Sequence, residues 1–383
     1  MNRNLWLRRS VALAGLLFLL ELPAPAGERK ALRFPDIPGY VTLACDFHLH
    51  TVFSDGAVWP TVRVEEAWRE GLDAIALTEH LEPRHKHAEV TGSSNASFDN
   101  AAARAQELGL ILIRGGEITR SMPPGHFNAI FLSDADALAV EDWRQAIKAA
   151  IDQGAFVFWN HPGWRQPGTV PVWYDEHTEL LQKGWLHGIE VVNAREYYPE
   201  VQTWCADKRL TLMGNSDAHN PMAMEYDLAA GEHRPMTLVF ARQRNVDGIK
   251  EALRARRTVV YWQSLLIGEA RYLQALFTQG VTVANQRVDL VPGRSRDIQV
   301  ENKLPLALEL VAERTDQVVT GPEKIILPAE RTVLVRVRAS GTAGKGMKTV
   351  GLRYQAENLR VAPGKGLSVT LPVKVNLLEQ SQR

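Results

Sequence analysis

Short apolar segments alternate with amphipathic helical segments along residues 41–262, and this alternation constrains the fold more than any other feature of the chain. The spacing of apolar positions changes between that of a strand and that of a helix. It predicts strands at 41–50, 73–77, 110–114, 127–132, 156–159, 188–192, 210–214, 236–240 and 258–262, and helices at 60–71, 98–108, 141–153, 176–183, 201–208 and 246–254. Such alternation is typical of α/β folds with parallel strands. The number of strands favours a barrel over an open sheet.

Side chains that bind metals lie where the predicted strands end. Six of the 11 histidines and three carboxylates occupy such positions: His48, His50, Asp55, His80, Glu117, His126, His161, Asp217 and His219. A single histidine is more often a structural or surface residue, but nine such side chains in one register are hard to explain in that way. Because barrel active sites lie at the carboxyl ends of the strands, these side chains should converge. The sequence therefore predicts a multinuclear metal centre.

The types of these side chains indicate which metals would bind and what they would do. Residues two apart on a strand face the same side, so His48 and His50 should point together, as should Asp217 and His219. Imidazole and carboxylate ligands suit zinc, manganese and iron. Glu117 follows two glycines and is the candidate to bridge two ions about 3.5–4 Å apart with a hydroxide between them. We expect two or three divalent ions, with Glu117 and Asp217 essential to catalysis.

The chain changes character after about residue 280. Helical patterns end, and β-rich segments separated by polar breaks appear at 298–300, 306–312, 332–337, 349–354 and 367–375. This spacing is typical of a sandwich of about 100 residues. We expect a hydrolase barrel at 27–280 and an all-β domain at 281–383, in which no chemical motif is evident.

The first 26 residues resemble an export signal. Arg3, Arg8 and Arg9 precede the apolar segment 11–20, and the small residues Ala24 and Ala26 suit a cleavage site. We expect cleavage, a mature start near residue 27, no membrane span afterwards, and a secreted or periplasmic protein. The alternative is an uncleaved N-terminal anchor.

Charge indicates which classes of partner are favoured, and the two cysteines raise the question of a disulfide. Lys and Arg total 44, as do Asp and Glu, so no basic surface for nucleic acid is indicated and a small-molecule substrate is favoured. The two cysteines, Cys45 and Cys205, could pair in an exported protein. We expect buried free thiols instead, because Cys45 lies on the first predicted strand.

Two motifs resemble those of a known family. The segment His48–Thr51, followed by Ser54–Gly56, resembles the opening motif of the polymerase and histidinol phosphatase (PHP) domain superfamily. Thr78–His80 resembles the second motif, in which Asp more often precedes the His. The remaining ligand candidates follow in the family's order across residues 43–275. The resemblance implies a distorted seven-stranded (β/α) barrel, two or three metals and hydrolysis of phosphate esters.

The resemblance also implies how the ligands are shared among the metals. One metal would be held by His48, His50, Glu117 and Asp217, a second by Glu117, His126 and His161, and a third by Asp55, His80 and His219.

Other residues near these motifs are candidates for contacting the substrate. Arginines that could clamp a phosphate are Arg84, Arg120 and Arg195, and tryptophans that could form an aromatic wall are Trp59, Trp159 and Trp164. The other histidines are assigned to loops and surfaces: His85, His87, His177, His187 and His233.

The sequence thus predicts an exported metal-dependent phosphoesterase. One alternative is an amidohydrolase-type enzyme acting on C–N or C–O bonds, although the strands bearing Glu117 and His161 carry no Lys at their ends. Another is a barrel that has lost catalysis, whose β domain binds a glycan, a polymer or a partner protein.

Overall fold

The computed structural model describes residues 28–81, 90–285, 287–313, 318–340 and 344–379. The predicted signal segment and Arg84, His85 and His87 lie outside these residues. The N-terminal strands are β1 (Val41–Asp46), β2 (Ala74–Leu77), β3 (Ile111–Ile118), β4 (Phe127–Ile130), β5 (Phe156–Trp159), β6 (Gly188–Asn193), β7 (Glu196–Tyr197), β8 (Thr211–Asn215), β9 (Met236–Ala241), β10 (Thr258–Trp262) and β11 (Leu265–Gly268). The helices are α1 (Pro60–Arg69), α2 (Ala96–Leu108), α3 (Trp143–Asp152), α4 (Asp175–Gln182), α5 (Pro199–Lys208), α6 (Met222–Glu225), α7 (Val246–Arg254) and α8 (Ala270–Gly280), with short 3₁₀ turns at Asp136–Leu138 and Pro167–Thr169.

Strands β1 to β6 and β8 to β10 form a distorted α/β barrel, as predicted. Hydrogen-bonded neighbours follow the order β10, β9, β1, β2, β3, β4, β5, β6, and β8 also pairs with β6. All nine predicted strands and all six predicted helices are present, with ends shifted by a few residues. The short elements β7, β11 and α6 and the helix α8 were not predicted.

The prediction of parallel strands throughout was wrong for two strands. Strand β4 is antiparallel to β3 and β5, and β9 is antiparallel to β1 and β10, while the other seven barrel strands run the same way. Parallel neighbours need a crossover, which is usually a helix. Residues 119–126 join β3 directly to β4, and β9 follows a loop whose helix, α6, has four residues. The start of β4 therefore lies at the rim where the parallel strands end.

Threonine side chains connect β8 to β9 and β10, because no backbone ladder between them is found among the described residues. Thr237 Oγ1 accepts from Gly214 N and donates to Gly214 O, at 2.9 Å in both cases, and Thr258 Oγ1 donates to Leu212 O at 2.8 Å. A side chain at Gly214 would place its Cβ 2.3 Å from Val260 Cγ1. Glycine at 214 therefore permits the strands to approach and the barrel to close.

Local sequence signals set the ends of the outer helices. Asp142 accepts hydrogen bonds from the first-turn amides of α3, and Asn245 accepts one from Gly248 N at the start of α7. Helix α2 ends at Gly109, whose φ of 67° is left-handed. Ile249 and Leu253 of α7 pack with buried side chains of β1, β2, β3, β5, β8 and β9 in one apolar cluster. The barrel strands and α7 thus share a buried apolar core.

The C-terminal region is all-β, as predicted. Its strands are β12 (Val281–Val283), β13 (Val288–Leu290), β14 (Ser295–Asn302), β15 (Leu308–Ala312), β16 (Val319–Thr320), β17 (Lys324–Leu327), β18 (Arg331–Ala339), β19 (Gly346–Ala362) and β20 (Lys365–Leu377). They form two sheets. Strands β12, β14, β18 and β16 make one, and β13, β20, β19, β15 and β17 belong to the other.

This second sheet is continuous with the barrel sheet. Strand β11 pairs in parallel with β19, and Asn358 of β19 donates to Ser264 O at 2.7 Å and Ala307 O at 2.8 Å. Gln202 of α5 donates to Arg360 O at 3.1 Å. One apolar cluster also runs through both parts. Within the described residues, no helix has the length and apolarity needed to cross a membrane.

Candidate metal centre

The end of β1 delivers His48 and His50 to the rim together. Their Nε2 atoms are 3.1 Å apart, and both rings are fully buried, while Phe47 and Leu49 are buried in the surrounding apolar clusters. The backbone of His50 is packed against the turn that carries Asp55. A Cβ at Gly56 would lie 2.6 Å from the carbonyl carbon of His50, so this turn requires glycine.

Glu117 lies at the centre of the cluster. Its Oε1 is 3.0 Å from His126 Nδ1, 3.4 Å from His161 Nε2 and 3.7 Å from His48 Nε2. Its Oε2 is 2.8 Å from His80 Nδ1 and 3.6 Å from His50 Nε2. One carboxylate therefore faces five of the six candidate histidines, which is the position expected of a bridge.

His126 and His161 complete the side of the cluster beyond Glu117. His126 lies just before the reversed strand β4 rather than after a parallel strand, which corrects the expected placement. His161 follows β5 and has a φ of 25°, a backbone conformation uncommon outside glycine. The ring of Trp164 lies 4.6 Å from that of His126 and 5.5 Å from that of His161.

The turn after β8 contributes Asp217 and His219. Asp217 Oδ1 lies 3.1 Å from both His48 Nε2 and His50 Nε2. Asp217 has a φ of 52°, and its N–H donates to His48 O at 2.9 Å, which ties this turn to the end of β1. His219 Nε2 lies 3.2 Å from Asp55 Oδ1. Two of the candidate ligands thus have left-handed backbones, a strain that is common at functional sites.

All nine candidate ligands come together in four overlapping groups whose donor atoms lie within 4.8 Å of one another. The groups are His50, Asp55, His80 and His219; His48, His50 and Glu117; His48, His161 and Asp217; and Glu117, His126 and His161. The last matches the second set implied by the family resemblance. The first adds His50 to the third set, and His161 joins His48 and Asp217, so sharing of ligands is more extensive than that resemblance implies. The role of each residue as a ligand stays a prediction.

Burial and the surrounding rings oppose each other in setting the charge of the carboxylates. Burial by itself would raise the pKa of Glu117, but His80 and His126 hold it well below its usual range. Burial would likewise raise the pKa of Asp217, and His48 and His50 keep it far lower than usual. The acids in this cluster are therefore ionised and require a nearby cation.

His80 and His219 contribute to that positive charge when no metal is bound. Burial lowers the pKa of His80, but Glu117 and Asp55 outweigh it and raise the pKa to about 11. For His219, the neighbouring carboxylates of Asp55 and Asp217 outweigh burial and raise the pKa to about 9. His50 is the opposite case. Burial and the charges of His219 and His80 lower its pKa to about 3. The His50 ring is therefore neutral at pH 7 and has a nitrogen lone pair that could bind a metal.

The donor set fits divalent metal ions. Two buried carboxylate oxygens, Asp55 Oδ1 and Glu117 Oε2, receive no hydrogen bond of acceptable geometry from the described residues. A buried acceptor without a hydrogen-bond donor is costly unless a cation faces it. Imidazole nitrogens and carboxylate oxygens around such a gap suit zinc, manganese or iron.

Several polar residues beneath the cluster belong to the site but were not predicted from the sequence. Asn160 Nδ2 donates to Glu117 Oε1 at 2.9 Å, and Asn193 Nδ2 lies 3.4 Å from Asp217 Oδ2. Glu190 of β6 is fully buried and hydrogen-bonded to His48. Asn160 immediately precedes His161 in the sequence, so a polar residue beside a ligand was the available signal. Glu190 gave no such signal because it lies within an apolar strand.

The candidate substrate residues have mixed placements. Arg120 donates to Thr119 O and Val140 O, each at 2.6 Å, and Arg195 donates to Glu225 O at 2.7 Å and pairs with Glu232 at 2.8 Å. Their catalytic roles stay predictions. Trp164 lies beside the ligands, Trp59 is half exposed, and Trp159 is fully buried. Trp159 therefore belongs to the core and not to an aromatic wall.

The assignment of His177 to a surface or loop was wrong. It lies in α4, is fully buried, and stacks on Trp159 with ring centroids 3.7 Å apart. Its Nε2 donates to Pro124 O at 2.8 Å, and its Nδ1 accepts from Tyr174 N at 3.0 Å. A polar residue in a helix is normally expected to be exposed, and no pattern around His177 indicates the partners that allow its burial. His187 and His233, by contrast, lie in loops, as predicted.

We expect His177→Ala to lower the free energy of unfolding at pH 7 by about 3 kcal/mol. The substitution opens a cavity and leaves Tyr174 N–H and Pro124 C=O without their hydrogen-bond partner. Burial lowers the pKa of His177 to about 4, against about 6.5 in an unfolded chain. As the pH falls from 6.5 towards 4, the unfolded chain gains a proton that the folded chain does not bind, so the wild type loses stability. Urea unfolding at pH 7 and 4.5 should show the difference between the two proteins shrinking at the lower pH. An equal difference at both values would contradict this account.

Both cysteines are buried free thiols, as predicted. Cys45 lies in β1 and Cys205 in α5. Burial raises the pKa of both thiols well above its usual value, so neither is a reactive thiolate.

Comparisons with known proteins agree with this architecture. The family model described as an Ig-like domain (DUF5001) matches residues 281–372. A crystal structure from Bacteroides vulgatus, of a two-domain protein containing a predicted PHP-like metal-dependent phosphoesterase, is 44% identical with a TM-score of 0.84. That similarity covers 91% of this chain and 100% of the other. A 5'-3' exoribonuclease from Haemophilus influenzae is 33% identical over 79 residues, which are 21% of this chain and 24% of the relative. The chain therefore spans about a quarter of that curated relative.

A distorted α/β barrel with imidazoles and carboxylates clustered at its rim defines the class of metal-dependent hydrolases. The likeness to the Bacteroides vulgatus protein runs through both domains. The chain belongs to the PHP-like family of metal-dependent phosphoesterases, with an Ig-like domain after the barrel.

Proposed function

We propose that this protein is an exported phosphoesterase that hydrolyses phosphate mono- or diesters of small molecules with two or three divalent ions. The observation that carries the proposal is the convergence of nine donor side chains on one rim, with Glu117 at their centre. A barrel that had lost catalysis would have no reason to keep all nine in place. When bound, divalent ions supply Lewis acidity, which lowers the pKa of water and offsets charge on phosphoryl oxygens.

The residues of the chain supply orientation around that centre. Asn160 holds one oxygen of Glu117, and Asn193 faces one oxygen of Asp217. Arg165 lies at the rim with its guanidinium 4.2 Å from the centre of the Trp164 ring, which in turn lies beside His126. An exposed arginine in this position is suited to pair with a phosphate oxygen of the substrate. We therefore assign Trp164 and Arg165 to the substrate side of the centre.

The test is hydrolysis of p-nitrophenyl phosphate and bis-p-nitrophenyl phosphate by protein reconstituted with manganese or zinc. Turnover of either ester, together with bound metal by elemental analysis, supports the proposal, and the ratio of the two rates distinguishes monoesterase from diesterase. The similarity to an exoribonuclease supports including the diester. Turnover of a p-nitroanilide with no turnover of phosphate esters would instead favour an amidohydrolase. Absence of metal and of turnover would leave the Ig-like domain as the carrier of function.

Export is proposed on the composition of residues 3–26, in which three arginines precede an apolar segment and a small-residue cleavage site. Expression of the full chain in a bacterial host and sequencing of the mature N-terminus should give a start near Gly27 in the periplasmic fraction. An intact N-terminus in the membrane fraction would show an anchor instead.

A further inference from the structure

We propose that Glu190 is a positioning residue of the metal centre that fixes the ring of His48 and the backbone of His161, and that Glu79 acts on His50 in the same way through Ser54. The inference rests on the proposed metal-dependent function. Neither glutamate belongs to the nine candidate ligands, yet both are buried directly behind them.

Four N–H groups converge on the carboxylate of Glu190. Its Oε1 lies 2.9 Å from both His48 Nδ1 and Asn215 Nδ2. Its Oε2 lies 2.7 Å from His161 N and 2.9 Å from Asn193 Nδ2. Such a fully bonded carboxylate is rigid, and two of its four partners belong to candidate ligands.

The contact with His48 determines which ring nitrogen faces the metal. A carboxylate only accepts hydrogen bonds, so Nδ1 of His48 must carry the ring proton. When the ring is neutral, as a metal ligand must be, Nε2 is then left with a free electron pair, and it points into the cluster, 3.1 Å from Asp217 Oδ1. In the other tautomer an N–H group would occupy the direction in which a cation must bind. Carboxylates behind ligand histidines commonly have this effect.

The contact with His161 holds a strained backbone. The φ of His161 is 25°, a conformation that a residue with a side chain adopts at a cost. Its amide is fixed by Glu190 at 2.7 Å, and its carbonyl accepts from Trp164 N at 2.8 Å. This backbone directs the His161 ring towards Glu117, with Nε2 3.4 Å from Oε1. Glu190 thus positions ligands from two different strands.

A second buried glutamate stands behind the other histidine of the same strand. His50 Nδ1 lies 3.3 Å from Ser54 Oγ, and Ser54 donates a short hydrogen bond to Glu79 Oε2. Thr51 fixes Glu79 through its hydroxyl at 2.6 Å and its amide at 3.1 Å. A proton on His50 Nδ1 is again favoured, because Ser54 uses its own proton to bind Glu79. Both histidines of the motif therefore present Nε2 to the centre.

The test compares metal binding by the full-length protein and its variants. We expect Glu190→Gln to weaken the binding of Co²⁺ by 10- to 100-fold in competition with a chromophoric chelator, the range typical of residues behind metal ligands. The visible absorption of bound Co²⁺ should change, because the His48 ring is no longer held. With saturating metal, kcat for p-nitrophenyl phosphate should fall while KM is nearly unchanged.

The matched control is Glu70→Gln. Glu70 is also a largely buried glutamate, and its Oε1 lies 2.5 Å from Arg234 Nη2. It is not one of the nine candidate ligands. This variant should lose stability but keep the wild-type affinity for Co²⁺ and its spectrum. A purely structural role for Glu190 predicts that the two variants behave alike.

A second variant keeps the proposal testable if Glu190→Gln fails to fold. Ser54→Ala removes one hydroxyl, leaves both glutamates in place, and should weaken Co²⁺ binding by several-fold with a changed spectrum. Wild-type affinity and spectrum in either folded variant would overturn the inference while the proposed function stands. A wild-type protein that binds no Co²⁺ would overturn both.

Discussion

The Glu117→Gln variant should hydrolyse p-nitrophenyl phosphate at least about 10³-fold more slowly than the wild type. Glu117 presents both oxygens to the cluster, Oε1 towards His126 and Oε2 towards His80. Glutamine has one oxygen and no charge, so it cannot bridge two cations. Metal ions supply several kcal/mol of transition-state stabilisation. If the variant loses about 4 kcal/mol of it, the rate falls by about 10³, because each 1.36 kcal/mol corresponds to a tenfold change in rate.

The variant should also bind fewer metal ions per chain, which elemental analysis measures independently of activity. Its fold should persist, because glutamine has nearly the same volume and its oxygen can still accept from Asn160. The control is Glu107→Gln on α2, whose carboxylate is exposed and forms a surface pair with Arg104. Such pairs contribute little, so this variant should retain wild-type rates and metal content. If the two variants had the same activity, Glu117 would not be the bridge.

The barrel and the ligand set could be predicted because each depends on local sequence signals. Strand and helix spacing identified the barrel elements, and residues at strand ends must meet at one rim. The reversed strands could not be predicted in this way. The loop of residues 119–126 is long enough for several connections, and only the packed barrel shows that β4 turns back. His126 therefore reaches the rim from the start of a strand.

Features that depend on contacts distant in sequence were missed. Glu190 and His48 are separated by 142 residues, and no pattern around Glu190 indicates its partner. The burial of His177 depends on the carbonyl of Pro124, 53 residues away. The same holds for Asn358, which joins the two domains through Ser264 and Ala307. Polar residues in a core are placed by partners that sequence spacing does not reveal.

Removal of metal should abolish hydrolysis and leave the chain folded. Dialysis against a chelator should lower activity below about 1% of the wild-type rate, and added manganese or zinc should restore it, since the loss corresponds to the several kcal/mol supplied by the ions. The fold survives because the ionised Glu117 and Asp55 are then offset by protonated His80 and His219. Re-addition of metal at 100 times its Kd should raise the free energy of unfolding by about 2.7 kcal/mol per site.

Metal binding should therefore be coupled to proton release, so that affinity for metal depends on pH. In the metal-free protein the pKa of His80 is about 11 and that of His219 about 9, so both rings are protonated at pH 7. A ligand imidazole must lose that proton, so affinity for metal should rise with pH up to about 9 and more gently beyond it. Calorimetric titration at pH 7 in two buffers of different ionisation enthalpy should show protons released on binding. Affinity that falls as the pH rises from 6 to 9, or binding without proton release, would show that His80 and His219 are not ligands.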